Sequence, residues 1–196
     1  MAGAPLSVRQ VEERKQISSD GAATIAIVTS QIYRDSAGRV RIEWYGENGS
    51  DGRPGIVFLL DPLAYSCTIL IPEQKIAHRD TVSRSSPAGF QVWLPGPGRP
   101  LPMRKWTTQT QAIGVRVIQG AEVQGTQTVQ KSDESDAQPS LISTGERWTS
   151  QSLGLTLEVK VNGPGWAHSV ELQDLNLHEP DLALFAIPPG YTIEGQ

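Results

Sequence analysis

Residues 153 to 162 alternate strictly. Leu153, Leu155, Leu157, Val159 and Val161 are apolar, while Gly154, Thr156, Glu158, Lys160 and Asn162 are not. Side chains on an extended strand point to opposite faces in turn, so this pattern is a strand with one buried face and one wet face. A helix would need its apolar positions at intervals of three and four. The same period of two runs through Val40, Ile42 and Trp44 against Arg39, Arg41 and Glu43, which assigns Trp44 to the core side. Between 165 and 178 the apolar phase slips from Val170 and Leu172 to Leu175 and Leu177. One extra residue in a β-bulge near Gln173–Asp174 absorbs such a slip.

Turn residues divide these runs. Ser19-Asp20-Gly21, Asp35-Ser36-Ala37-Gly38, Pro72-Glu73-Gln74-Lys75 and Gln119-Gly120 each separate two periodic segments, as hairpin loops do. The spacing predicts strands near 7–18, 22–34, 39–46, 55–60, 64–71, 75–83, 112–119, 121–131, 141–149, 153–162 and 166–177, with a short last strand at 191–193. Short connections favour antiparallel neighbours, because parallel pairs need long crossovers. The one helical candidate is Pro180 to Phe185, a single turn that Pro188-Pro189-Gly190 ends. The expected fold is therefore all-β, one large curved antiparallel sheet with little helix, and a closed β-barrel or a two-sheet sandwich is the alternative. Ile25 and Ile27 lie on one face and Ala26 and Val28 on the other. A sheet apolar on both faces needs cover on both, from another layer, a lid or a ligand.

Length and composition narrow the class. A chain of 196 residues suits a single all-β domain over 1–196. A formal charge of −4 argues against nucleic acid as a partner, since phosphates call for basic surface. The longest strongly apolar run, Ile56 to Leu60, is far short of the roughly 20 residues of a membrane-spanning helix. Met1 to Leu6 lacks the charged and apolar parts of a signal peptide, and Ala2-Gly3-Ala4-Pro5 reads as a start left by a removed one. That reading places the protein in the periplasm or outside the cell; a cytoplasmic protein is the alternative.

Two long loops interrupt the pattern. Residues 131–140 are polar and acidic, a mobile hairpin tip by composition. Residues 84–106 combine Pro87, Pro95, Pro97, Pro100 and Pro102 with large apolar side chains. Connections this long are uncommon in compact domains unless they bind something or cover something. Phe90, Trp93, Leu94, Leu101, Met103 and Trp106 are the candidate ligand-binding residues.

The run Ile32-Tyr33-Arg34-Asp35-Ser36-Ala37-Gly38-Arg39-Val40-Arg41 resembles a hairpin of a family of uncharacterised bacterial exported proteins. Asp61-Pro62, Gly120 to Thr126, Glu146-Arg147-Trp148, and Glu179-Pro180-Asp181 with Phe185 and Pro189-Gly190-Tyr191 follow in the same order. More remotely, the pattern is similar to the half-barrel of outer-membrane lipoprotein carriers and sorting proteins. That resemblance implies a curved sheet over a cavity that accepts acyl chains, with a lipid or a lipoprotein acyl chain as partner. It transfers no catalytic motif, and the helices that cross the carriers' concave face have no counterpart here.

Catalytic chemistry finds little support in the residues. The Gly-x-Ser-x-Gly turn of serine hydrolases is absent. Cys67 keeps phase with Ile69 and Ile71, which makes it a core filler with a raised thiol pKa. His78, His168 and His178 have no metal-ligand spacing, so neither a metal nor a cofactor is expected. Glu43, Glu146, Glu158 and Glu171 fall on predicted strands, and a carboxylate-based hydrolase is the weakest reading. The leading expectation is a non-enzymatic cell-envelope protein that holds an apolar or lipidic ligand on its concave face. A protein-interaction or sensor module using the 84–106 loop is the alternative.

Overall fold

The computed structural model describes residues 4–47, 52–81, 106–132 and 142–195. The described residues form twelve strands: β1 (Leu6–Ile17), β2 (Ala23–Arg34), β3 (Val40–Glu47), β4 (Ile56–Asp61), β5 (Ser66–Ile71), β6 (Ile76–Thr81), β7 (Trp106–Ile118), β8 (Ala121–Ser132), β9 (Ile142–Ser150), β10 (Leu155–Gly163), β11 (Trp166–Asn176) and β12 (Thr192–Glu194). They make one sheet in the order β12-β6-β5-β4-β3-β2-β1-β11-β10-β9-β8-β7. Among the described residues the order has two ends, β12 and β7, so the sheet is open and not a closed barrel. The fold is all-β, as the alternation requires. Every hairpin pairing with a resolved register is antiparallel. The exception to the antiparallel expectation is β12, which returns to pair with β6 in parallel, Ile193 opposite Ala77.

Local chemistry explains the turns. Gln119 and Gly120 both have positive φ, 49° and 79°, as a two-residue turn matched to strand twist requires. In the β2–β3 turn, Gly38 donates to the Asp35 carbonyl and has φ 84°. The Asp35 carboxylate takes the Arg39 backbone N–H at 2.8 Å and the Arg39 guanidinium at 2.6 Å, with only 1% of the Asp35 side chain exposed. Asp174, where the slip of phase was expected, has φ 55°. The predicted single helical turn is a 3-10 turn over Leu182–Phe185, with Asp181 capping it through the Ala183 N–H.

The chain divides into two compact units. One holds residues 1–11, 28–96 and 173–196, the other 12–27 and 97–172. In the second unit, the alternating apolar positions Leu155, Leu157 and Val159 of β10 are buried. Trp148 of β9 lies over Gly125 of β8, where an added Cβ would sit 2.6 Å from the ring. Only glycine leaves the indole that room.

β7 begins at 106, six residues before the predicted strand. Thr107 to Gln111 carry no apolar alternation, so periodicity does not register them, though threonine suits a strand. Lys131 and Ser132 belong to β8, and 133–140 of the acidic loop lie outside the described residues.

Candidate functional site

The site is built from the first unit's strands β2 to β6. Their registers place Gln31, Tyr33, Arg41, Glu43, Val57, Leu59, Thr68, Leu70 and Ala77 on one face. Ile32, Ile42, Phe58 and Ile69 form a row across the other face, since Ile32 opposes Ile42, Ile42 opposes Phe58, and Phe58 opposes Ile69. A flanking row runs through Val40, Leu60 and Cys67. On the other flank lie Trp44 opposite Ile56, and Ile71 opposite Ile76. Strands apolar on both faces were the sequence expectation, and here both faces are apolar.

The two faces are covered unequally. Val57, Leu59, Leu70 and Ala77 form a core cluster, and Ile187 and Tyr191 from the C-terminal segment pack against it. That segment is fastened by a polar cluster on the same face. Arg41 donates to the Leu184 carbonyl at 2.9 Å and to Glu43 at 2.7 Å, and Tyr45 donates to Glu43 at 2.8 Å. Burial, followed by the bond to Glu43, pushes the Tyr45 hydroxyl up to about 12, so it stays protonated. At the rim of this cover is a cavity of about 360 Å³, within the range of small-molecule sites. Leu59, Phe185, Ile187 and Ile193 give it apolar walls, and Thr68, Arg39 and Arg79 supply polar groups. Arg39 is held by Asp35 and lies 5.3 Å from the centre of the Phe185 ring.

On the opposite face, Ile56, Phe58, Cys67, Ile69, Ile71 and Ile76 are all partly accessible, while Ile32, Ile42 and Leu60 are buried. Trp44 keeps phase with Ile42, but it is 37% exposed rather than packed in the core. It sits on the flanking row of the face, opposite Ile56. Cys67 likewise faces this apolar surface, half-buried and not in the closed core. Burial, with a smaller contribution from Asp80, raises its thiol pKa and leaves it a poor nucleophile.

The remaining sequence candidates fall in two groups. Phe90, Trp93, Leu94, Leu101 and Met103 lie outside the described residues, as does the Trp106 side chain; the Trp106 backbone opens β7. Glu158 and Glu171 oppose each other across β10 and β11, and both pair with Lys160, at 3.1 and 3.4 Å. Glu158 also accepts from Arg116, which stacks 4.0 Å over Trp148. Burial would raise the Glu158 carboxyl, but the bonds from Lys160 and Arg116 outweigh it and hold the group low. Glu158 was expected on the wet face; its side chain is only 16% exposed, because Arg116 and Lys160 cover it. Sequence reasoning missed the Arg41–Glu43–Tyr45 cluster, whose alternate spacing at 41, 43 and 45 was its only local signal. Among the described residues no group of His, Cys, Asp or Glu could hold a metal ion.

No protein-family model matches the chain, and no curated protein matches it. Solved structures do. A LolA superfamily protein from Nitrosomonas europaea aligns at 10% identity over 95% of this chain and 91% of its own, with a TM-score of 0.38. Lipoprotein LppX from Mycobacterium tuberculosis aligns at 13% identity over 88% and 89%, with a TM-score of 0.35. A Vibrio parahaemolyticus domain assigned to outer membrane lipoprotein sorting aligns at 9% identity over 89% and 86%, with a TM-score of 0.32. The Vibrio domain is named for lipoprotein sorting, the class that the sequence remotely resembles.

Proposed function

We propose that this protein is a non-enzymatic binding protein of the cell envelope that holds an apolar or lipidic ligand on the Ile42–Phe58–Ile69 face of its sheet. One observation carries the reading. The strands are apolar on both faces, the C-terminal segment packs on one, and on the other Ile56, Phe58, Ile69, Ile71 and Ile76 are partly accessible around the buried Ile32, Ile42 and Leu60. Covering that second face with acyl surface contributes roughly 0.8 kcal/mol for each CH₂ buried. Isoleucine, phenylalanine and leucine offer no polar group to orient a reacting bond, so the face suits retention and transfer rather than catalysis. Glu12, Glu43 and Glu158, strand carboxylates with side chains 12–16% exposed, are each engaged in ion pairs, which favours the non-enzymatic reading.

Native mass spectrometry after mild purification, followed by organic extraction, tests this. The expected result is a co-purifying lipid, or uptake of a long-chain fatty acid by the stripped protein. Cys67 is a reporter on the same face: bound fatty acid slows its alkylation by a small maleimide. A stripped protein that takes up no fatty acid, and whose Cys67 reacts at one rate with and without it, refutes the proposal.

A further inference from the structure

β7 is thirteen residues long and is the terminal strand of the sheet, paired with β8 on one side. Among the described residues no strand lies on its other side. Such an edge presents a row of backbone donors and acceptors to any extended chain, and proteins blunt it with charge, proline or a bulge. From Trp106 to Val115 this strand has no charged residue and no proline. Every residue from Thr107 to Ala112 is exposed. The first interruption is the register shift between Ala112 and Gly114, where Gly114 has φ 112°. The regular, undefended stretch is therefore 106–112.

We propose that this edge pairs with the same edge of a second copy of the chain, antiparallel about a two-fold axis at Gln109. Residues directly opposite each other in a ladder share a face, so a self-pairing must match positions of equal parity. Centring on Gln109 puts Gln109 opposite its own copy, Thr108 opposite Thr110 and Thr107 opposite Gln111. It uses the whole regular stretch and stops before the bulge on both copies. Centring two-fold symmetry one residue later would run each copy into the other's bulge. The side-chain pairs this creates are ones the strand already makes with β8. Thr110 and Thr128 approach hydroxyl to hydroxyl at 3.4 Å, and the Gln111 amide donates to Gln127 at 2.8 Å. Self-pairing extends that threonine and glutamine ladder by one more strand, with no like charges opposed. Arg116, the nearest charged residue of β7, lies beyond the paired stretch on each copy.

Sedimentation equilibrium and cysteine cross-linking test the proposal together, in a Cys67→Ser background. The expected solution state is a concentration-dependent dimer of the 21.3 kDa chain. In that dimer Gln109→Cys cross-links across the axis on mild oxidation, because opposed Cα atoms at about 4.5–5.5 Å are within disulfide reach. Thr107→Cys does not, since its copy lies four positions away along the ladder, roughly 13 Å. Gln109→Lys sets two ammonium groups face to face and returns the protein to monomer. Thermal melts check that each variant remains folded. A protein monomeric to high micromolar concentration overturns the proposal. So does a dimer that survives Gln109→Lys, or one in which Thr107→Cys cross-links as well as Gln109→Cys.

Discussion

Leu70 and Ile69 are chain neighbours on opposite faces of β5, and truncating each to alanine separates stability from binding. Leu70 is 1% exposed and sits among Val57, Leu59 and Ala77. Removing a buried leucine side chain costs the transfer energy of the lost carbons plus a cavity term, about 2–5 kcal/mol. Leu70 opposes Val57 and Ala77 across the sheet, and Ile187 and Tyr191 pack on the cluster, so the surroundings have little room to collapse. A cost of about 3 kcal/mol follows, which for a chain of this size lowers the melting temperature by roughly 6–12 °C. Ile69 is partly accessible in the free protein, so Ile69→Ala surrenders only part of that transfer energy, about 1–2 kcal/mol. The functional effects reverse. Ile69→Ala removes surface from the binding face and weakens retention of a long-chain fatty acid, while Leu70→Ala leaves it intact at temperatures where the variant is folded. Urea denaturation supplies the stabilities, and displacement of an environment-sensitive apolar dye supplies the binding. Equal destabilisation by the two variants, with fatty-acid retention unchanged by Ile69→Ala, would refute the assignment of faces.

Other perturbations check the supporting geometry. Arg41→Ala removes the guanidinium bond to the Leu184 carbonyl, costs about 1.5–3 kcal/mol, and raises hydrogen exchange across residues 182–187. Asp35→Asn leaves Arg39 without its buried counter-charge; because Arg39 is itself partly exposed, the cost is about 2–3 kcal/mol in urea titration. The Glu158 carboxyl is held low in the folded protein, so its contribution is present above the unfolded-state pKa and disappears as pH falls through the folded value. Melting temperature therefore drops on acidification below the ordinary glutamate range, and Glu158→Gln flattens that limb. The raised Cys67 thiol predicts slow alkylation at neutral pH that accelerates once urea unfolds the chain.

Strand identity was local information. Period-two alternation, Gly and Asp at the hairpins, and Pro180 ahead of the 3-10 turn placed eleven strands to within about two residues at most of their ends, because each signal acts over a few neighbouring residues. The start of β7 escaped because Thr107 to Gln111 are polar on both faces, and an edge strand has no need of apolar alternation. Alternation also showed that several strands are apolar on both sides. It did not show which side is closed. That depends on Ile187 and Tyr191 packing on Val57, Leu59, Leu70 and Ala77, residues more than a hundred positions earlier in the chain. The same distance separates Arg41 from Leu184, and β12 from the β6 strand it joins in parallel. The insertion of β1 between β2 and β11 is equally remote from any local pattern. A side chain's alternation is set by its own backbone, so the sequence by itself determined the strands and their two apolar faces. Cover is set by whatever the rest of the chain brings over them, so only the tertiary structure decided which face the C-terminal segment packs against and which keeps partly accessible apolar residues.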